Sequence, residues 1–180
     1  MICNQVICNR AETSVQTHAG RANDPTNQNI HRSQMGRRAL RKTDPTLDLS
    51  SHLQTLDQLA SPLSGDDLFG RRAPLEVEIG SGKGLFLRRA SLDRPDVDFL
   101  GIEVSQKYAR FAAAGLAERS IGNAIVVQGD AIRLFAQILP DESLAAVHVY
   151  FPDPWWKKRH RRRRVMQEPL ALDIQRTLRP

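Results

Sequence analysis

From about residue 75 onward, apolar and polar positions fall into short blocks with two alternating periods. Leu75-Glu76-Val77-Glu78-Ile79 has the period of two that marks a strand. Leu85 to Leu92 reads as a helix that must stop before Pro95. Phe99 to Val104 predicts a second strand. Gln106 to Arg119 predicts a helix with Tyr108, Phe111, Ala112, Gly115 and Leu116 on one face. Ala124 to Gln128 reads as a third strand, and Ala131 to Leu139 as a short helix ended by Pro140 and the turn residues Asp141-Glu142-Ser143. Leu144 to Phe151 is a fourth strand. Leu170, Ile174 and Leu178 mark a last helix, with Pro169 tolerated in its first turn.

Upstream the pattern changes. Leucines at 47, 49, 53, 56, 59 and 63 mostly fit a helical stripe, which predicts a helix or helical turn broken at Ser64-Gly65-Asp66-Asp67. Residues 1 to 45 are polar and basic with no apolar period, and they read as a disordered tail. Met35-Gly36-Arg37-Arg38 has the look of a natural start, which would make residues 1 to 34 an extension. The folded domain is expected over residues 46 to 180.

Strand and helix in repeated succession mean parallel strands joined by right-handed crossovers. The fold class is therefore α/β: a three-layer α/β/α, Rossmann-like parallel sheet, with its ligands at the carboxyl ends of the strands. Four strands make half of a doubly wound sheet, and Leu178-Arg179-Pro180 stands at a helix end. The sheet thus reads as truncated at its C-terminal side, with the fourth strand left as an open edge.

Composition narrows the function. The 41% of hydrophobic residues is ordinary for a globular protein, and no stretch approaches the ~20 apolar residues of a membrane helix. Met1 to Arg10 lacks the apolar core of a secretory signal. Cys3 and Cys8 have no third cysteine, and His18 and His31 complete no zinc spacing, so they read as free thiols in a reducing cytoplasm and no metal is expected. The net charge is +6, and 7 of the 26 Lys and Arg residues fall within Lys157-Lys158-Arg159-His160-Arg161-Arg162-Arg163-Arg164. Clustered positive charge of that kind fits contact with nucleic-acid phosphates. The oligomeric state is not legible.

Three acids stand at three successive strand ends. Glu78 precedes the glycine loop Gly80-Ser81-Gly82-Lys83-Gly84, Glu103 ends the second strand, and Asp130 follows the third. Glycines let the loop turn sharply against a ligand. The third glycine comes one residue early for a dinucleotide fingerprint, and Leu85 holds its place. S-adenosylmethionine has no phosphates but carries a sulfonium, an ammonium, a ribose and an adenine, so carboxylates suit it better than a bare helix N-terminus. Glu78 fits its methionine end, Glu103 its ribose hydroxyls and Asp130 its adenine amino group. Asp130 also reads as a plain N-cap for the helix that follows.

After the fourth strand comes Phe151-Pro152-Asp153-Pro154-Trp155-Trp156 and then the basic run. Two prolines around an aspartate predict a stiff loop at the carboxyl edge of the sheet. Trp155 or Trp156 can stack on a base or pack into the core.

Together the E-I-G-S-G-K-G loop, Gly101-Ile102-Glu103-Val104, Gly129-Asp130-Ala131 and F-P-D-P-W-W-K-K-R-H resemble the bacterial tRNA (guanine-N7)-methyltransferases, class I S-adenosylmethionine-dependent enzymes. The match covers about residues 74 to 180. The resemblance implies methyl transfer from S-adenosylmethionine to N7 of a guanine in the tRNA variable loop, forming 7-methylguanosine. It implies that Glu78, Gly80, Gly82, Glu103, Asp130 and Asp153 line the cofactor site, that Asp153 is catalytic, and that Lys157 and Asp153 touch the substrate. Lys158, Arg159, Arg161, Arg162 and Arg163 would contact RNA. The family's later strands, with another aspartate and a Thr/Glu substrate motif, have no counterpart here. Two competing readings are a non-catalytic RNA-binding fragment and a nicotinamide-dependent oxidoreductase.

Overall fold

The computed structural model describes residues 40–150 and 166–180. The fold lies in the unit Lys42–Pro180. Its strands are β1 (Leu53–Thr55), β2 (Leu75–Ile79), β3 (Asp98–Glu103), β4 (Ala124–Gln128) and β5 (Ala146–Val149), and its helices are α1 (Gly65–Phe69), α2 (Leu85–Asp93), α3 (Gln106–Ala117), α4 (Ala131–Arg133) and α5 (Glu168–Thr177). All strand pairs are parallel, in the order β1-β4-β3-β2-β5.

Helices cover both faces. On one side Leu87 and Ala90 of α2 and Ala109, Ala112, Ala113 and Leu116 of α3 pack on Phe99, Ala124 and Val126. On the other, Leu75, Val77, Ile79, Leu100 and Ile102 meet Leu134, Phe135 and Ile138 beyond α4 and Leu170 of α5. The three-layer α/β/α expectation therefore holds. The chain steps from β2 to β3 to β4 in one direction, and β5 returns to the other side of β2. That reversal opens a crevice at the carboxyl end of β2, where a doubly wound sheet holds its ligand.

Several elements differ from expectation. The leucine stripe takes the shorter of its two expected forms, a helical turn and not a helix: the Leu53 N–H bonds the Leu49 carbonyl at 2.8 Å. The chain then extends as β1, a fifth strand, before a 3₁₀ turn over Leu56–Gln58. Leucine spacing reported burial here more than helicity, since Leu56 reaches the core from the 3₁₀ turn and Leu63 from irregular backbone. The supposed break at Ser64 is a helix start. The Ser64 side chain accepts from the Asp66 N–H, acids fill the first turn, and Gly70 closes α1 in the left-handed conformation. After α4 the helix widens into a π turn over Leu134–Ile138, so the predicted Ala131–Leu139 helix exists with looser winding.

The edge beyond β5 is not fully open. The Leu144 N–H bonds the Thr177 carbonyl and the Arg179 N–H bonds the Leu144 carbonyl, each at 2.9 Å, so Leu178 pairs in parallel with Leu144. Arg176 of α5 fastens this corner, donating to the carbonyls of Phe135 at 2.6 Å and Leu139 at 3.2 Å and pairing with Asp141.

Candidate functional site

The glycine loop crosses the crevice between β2 and α2. The N–H groups of Gly80 and Ser81 both bond the Ile102 carbonyl, at 2.8 and 3.3 Å, which lays the loop over the end of β3. Gly82 sits at φ 52° and Gly84 at φ 66°, in the region that side chains avoid. Gly84 has a second constraint: a Cβ there would stand 2.8 Å from the Ala112 Cβ, so its absence lets α2 and α3 approach.

Glu103 ties the loop down. Its Oε2 accepts the Gly82 N–H at 2.8 Å and its Oε1 accepts the Ser105 N–H at 2.9 Å. An ionised carboxylate has about four lone-pair positions, so two stay available for hydroxyls of a ligand.

Glu78 is of another kind. All five residues of β2 are buried, so its alternating glutamates face not water but the space beneath α2. Glu78 is 5% exposed, and its Oε2 has no hydrogen-bond partner. Burial pushes its carboxyl up to about 7. The Ser81 hydroxyl pulls it partly back, and the charge of Glu103 adds to the rise. Asp98, at the opposite end of β3, also has a bare Oδ2, but its Oδ1 takes two bonds from Arg71, at 2.9 and 2.6 Å. Among the described residues no ion pair to Glu78 matches this one. A buried carboxyl oxygen without a partner, beside a glycine cradle, is a place for a ligand that brings positive charge or N–H donors.

Asp130 is exposed and caps α4, accepting the Ile132 N–H at 2.9 Å. The capping role weighed from sequence is therefore realised. The residue also stands at the carboxyl end of β4, level with Glu103 through the Glu103–Gln128 pairing and the Gly129 N–H bond to the Glu103 carbonyl at 3.1 Å. Glu78, Gly80, Gly82, Glu103 and Asp130 thus border one crevice. Asp153, Lys157, Lys158, Arg159, Arg161, Arg162 and Arg163 lie outside the described residues.

Sequence reasoning passed over a second group. Glu76 binds Arg94 Nη1 through Oε1 at 2.8 Å and His148 Nε2 through Oε2 at 2.9 Å. Burial alone would raise its carboxyl, but these two partners hold it below its ordinary value. His148 Nδ1 lies 3.3 Å from the Tyr150 hydroxyl. The signal was a histidine in an otherwise apolar strand, two residues from a tyrosine. Among the described residues no group of three or more His, Cys, Asp or Glu is placed to hold a metal ion, and no helix is long and apolar enough to cross a membrane.

A parallel α/β sheet with a glycine cradle at its switch point, carboxylates at successive strand ends and an unmatched buried acid is built as class I methyltransferases are. Residues 72–180 match the model of a family described as "Putative methyltransferase", and the chain belongs to that family. It is 51% identical over 150 residues to a tRNA (guanine-N(7)-)-methyltransferase of Rhodopirellula baltica, covering 81% of this chain and 55% of that protein. It is 41% identical over 125 residues to the protein of the same name from Paracidovorax citrulli, covering 69% and 50%. The chain spans about half the length of these curated relatives. A solved structure of a SAM dependent methyltransferase from Aquifex aeolicus matches with a TM-score of 0.46 at 14% identity, covering 63% of this chain and 56% of that one.

Proposed function

We propose that this protein methylates N7 of a guanine in the variable loop of tRNA, forming 7-methylguanosine, with S-adenosylmethionine as cofactor. The observation that carries the reading is the unpartnered, buried Oε2 of Glu78 at the glycine cradle. It suits a cationic nucleoside ligand, and the 51% identical relative bears the corresponding name. A cytoplasmic setting goes with this reading.

S-adenosylmethionine, when bound, supplies an electrophilic methyl on a sulfonium. Glu78 would hold its ammonium, Glu103 its ribose hydroxyls through the lone pairs left free by Gly82 and Ser105, and Asp130 its adenine amino group. Guanine N7 carries its own lone pair, so the acceptor needs no base, only alignment at near-attack distance. The product ring gains positive charge, which a carboxylate stabilises, and Asp153 is assigned that role with its grip on the guanine N–H edge. Lys157 is assigned to the substrate, and the basic residues Lys158, Arg159, Arg161, Arg162 and Arg163 to phosphates of the RNA.

The test is transfer of labelled methyl to unmodified tRNA, with the product nucleoside identified by mass, beside calorimetric titration with S-adenosylhomocysteine and with NAD. Formation of 7-methylguanosine and a preference for S-adenosylhomocysteine support the reading. Binding of tRNA without transfer favours the non-catalytic RNA-binding alternative. Binding of NAD alone favours an oxidoreductase.

A further inference from the structure

Tyr150 directly follows β5, one residue past the Ile79–Val149 pairing, at the carboxyl edge where the crevice opens. It is 38% exposed, and among the large hydrophobic side chains exposed in the described residues it is the one aromatic ring. Glu78 is close enough for its charge to help raise the Tyr150 phenol, after the larger effect of burial.

An exposed ring at a strand end would ordinarily be loosely held. This one is fixed by three contacts from two residues. Phe86, from the first turn of α2, packs against it with centroids 4.9 Å apart. His148 lies nearly parallel to it, at 15° and 5.9 Å. The hydroxyl meets His148 Nδ1, and His148 Nε2 in turn meets Glu76. The bonds are mutually consistent when Nε2–H donates to the Glu76 carboxylate and Nδ1 accepts from the tyrosine O–H.

The support beneath Tyr150 is chemically expensive. Two aliphatic residues would fill the space under α2 without desolvating a carboxylate and an imidazole. The chain keeps Glu76, with Arg94 as second partner, and runs a line of hydrogen bonds along the sheet face to the tyrosine hydroxyl. Such a line orients a ring that keeps 38% of its surface exposed.

We propose that Tyr150 presents its ring as the stacking surface for the purine base of the methyl acceptor, and that His148 and Glu76 are positioning residues that hold it there. The inference rests on the nucleobase-methylation reading above. Stacking is tolerant of base identity and strong for a single contact, so loss of the ring is expected to weaken tRNA binding roughly five- to 150-fold.

The experiment measures affinity of the full chain for unmodified tRNA, with S-adenosylhomocysteine bound, in Tyr150→Phe, Tyr150→Ala and His148→Leu. The phenylalanine variant keeps the stacking face and should bind within about threefold of the parent, whereas the alanine variant should show the full loss. His148→Leu removes both histidine bonds and should weaken tRNA binding roughly two- to tenfold. S-adenosylhomocysteine affinity should be unchanged in all three. Equal losses for both ligands in His148→Leu would mark a merely structural histidine and overturn its positioning role. Tyr108 and Tyr150 are the two tyrosines of the chain, so ring-labelled tyrosine gives a readout that needs no variant. Bound tRNA should move the Tyr150 ring signals upfield and leave Tyr108 in place. Unchanged tRNA affinity in Tyr150→Ala, or a saturated complex without that shift, overturns the inference alone. A parent protein that binds neither ligand overturns it together with the functional reading.

Discussion

Oε2 of Glu103 accepts the N–H of Gly82 at 2.8 Å, so the acid at the end of β3 holds the glycine loop in place before any ligand arrives. The same carboxylate holds Ser105 at the start of α3. One side chain therefore sets the cradle and is also assigned to the ribose.

Glu103→Ala should do two things. It removes two charge-assisted bonds to backbone N–H groups, which should lower stability by about 2 to 4 kcal/mol. It should also weaken S-adenosylhomocysteine binding more than tenfold, because the loop loses its preorganised shape as well as its ribose acceptor. Glu103→Gln keeps one acceptor and should fall between. Thermal melts with calorimetry check both, and an alanine variant that binds like the parent would remove Glu103 from the site.

Glu78 makes stability depend on pH in an unusual direction. Its unfolded value is the ordinary 4.5, and burial raises the folded value to about 7. Between those values the unfolded chain gives up a proton that the folded chain keeps. Stability from this residue therefore falls as pH rises from 4.5 to about 7 and is flat above, with a total cost of about 3 kcal/mol. Glu78→Gln should abolish that slope, seen as the difference between melting curves of parent and variant across the range. A ligand ammonium placed against Glu78 reverses the effect by favouring the ionised acid. S-adenosylhomocysteine binding somewhat below neutral pH should then release a proton from the parent and none from Glu78→Gln, which titrations in two buffers of different ionisation enthalpy would detect. Identical proton release in both proteins would exclude the role.

Gly84→Ala tests the cradle without touching a charge. The new Cβ would meet the Ala112 Cβ at 2.8 Å, and the position has φ 66°. Left-handed strain costs about 1 to 2 kcal/mol and the overlap between packed helices about 1 to 3 kcal/mol more. A fall of about 2 to 5 kcal/mol in unfolding free energy is expected. A loss below about 1 kcal/mol in a denaturant titration would show that α2 and α3 can part freely.

The parts of the fold that were legible from sequence were those where period and burial agree. β2, β3, β4 and the helices between them carry complete apolar faces, and each lies within a residue or two of its expected place. β1 was illegible because three residues cannot show a period and because leucines spread over a turn, a short strand and a 3₁₀ turn imitate a helical stripe. α1 was misread because Ser-Gly-Asp-Asp serves both to break a helix and to start one, and only the Ser64–Asp66 bond decides. At the site, glycine loop and strand-end acids were visible because each residue type carries its own chemistry. The Glu76–His148–Tyr150 line was not, because its members are 72 and two residues apart in the chain and meet only through the β2–β5 pairing.

Asp153 gives the sharpest test of the chemistry. N7 methylation asks for no proton removal, so the carboxylate's assigned work is to stabilise charge that appears on the guanine as the methyl arrives. A group that acts on the transition state more than on the ground state changes the rate at saturation rather than affinity. Asp153→Ala should therefore lower the single-turnover rate with saturating tRNA and cofactor by about 100-fold or more, the scale of a lost oxyanion-hole donor with the sign of charge reversed. Asp153→Asn keeps the shape but not the charge and should recover little of that loss. The comparison with Glu103→Ala then separates the two acids: one variant loses mainly the rate of transfer, and the other loses S-adenosylhomocysteine affinity first. Full transfer by Asp153→Ala would mean that alignment of N7 alone suffices and that the aspartate has another task.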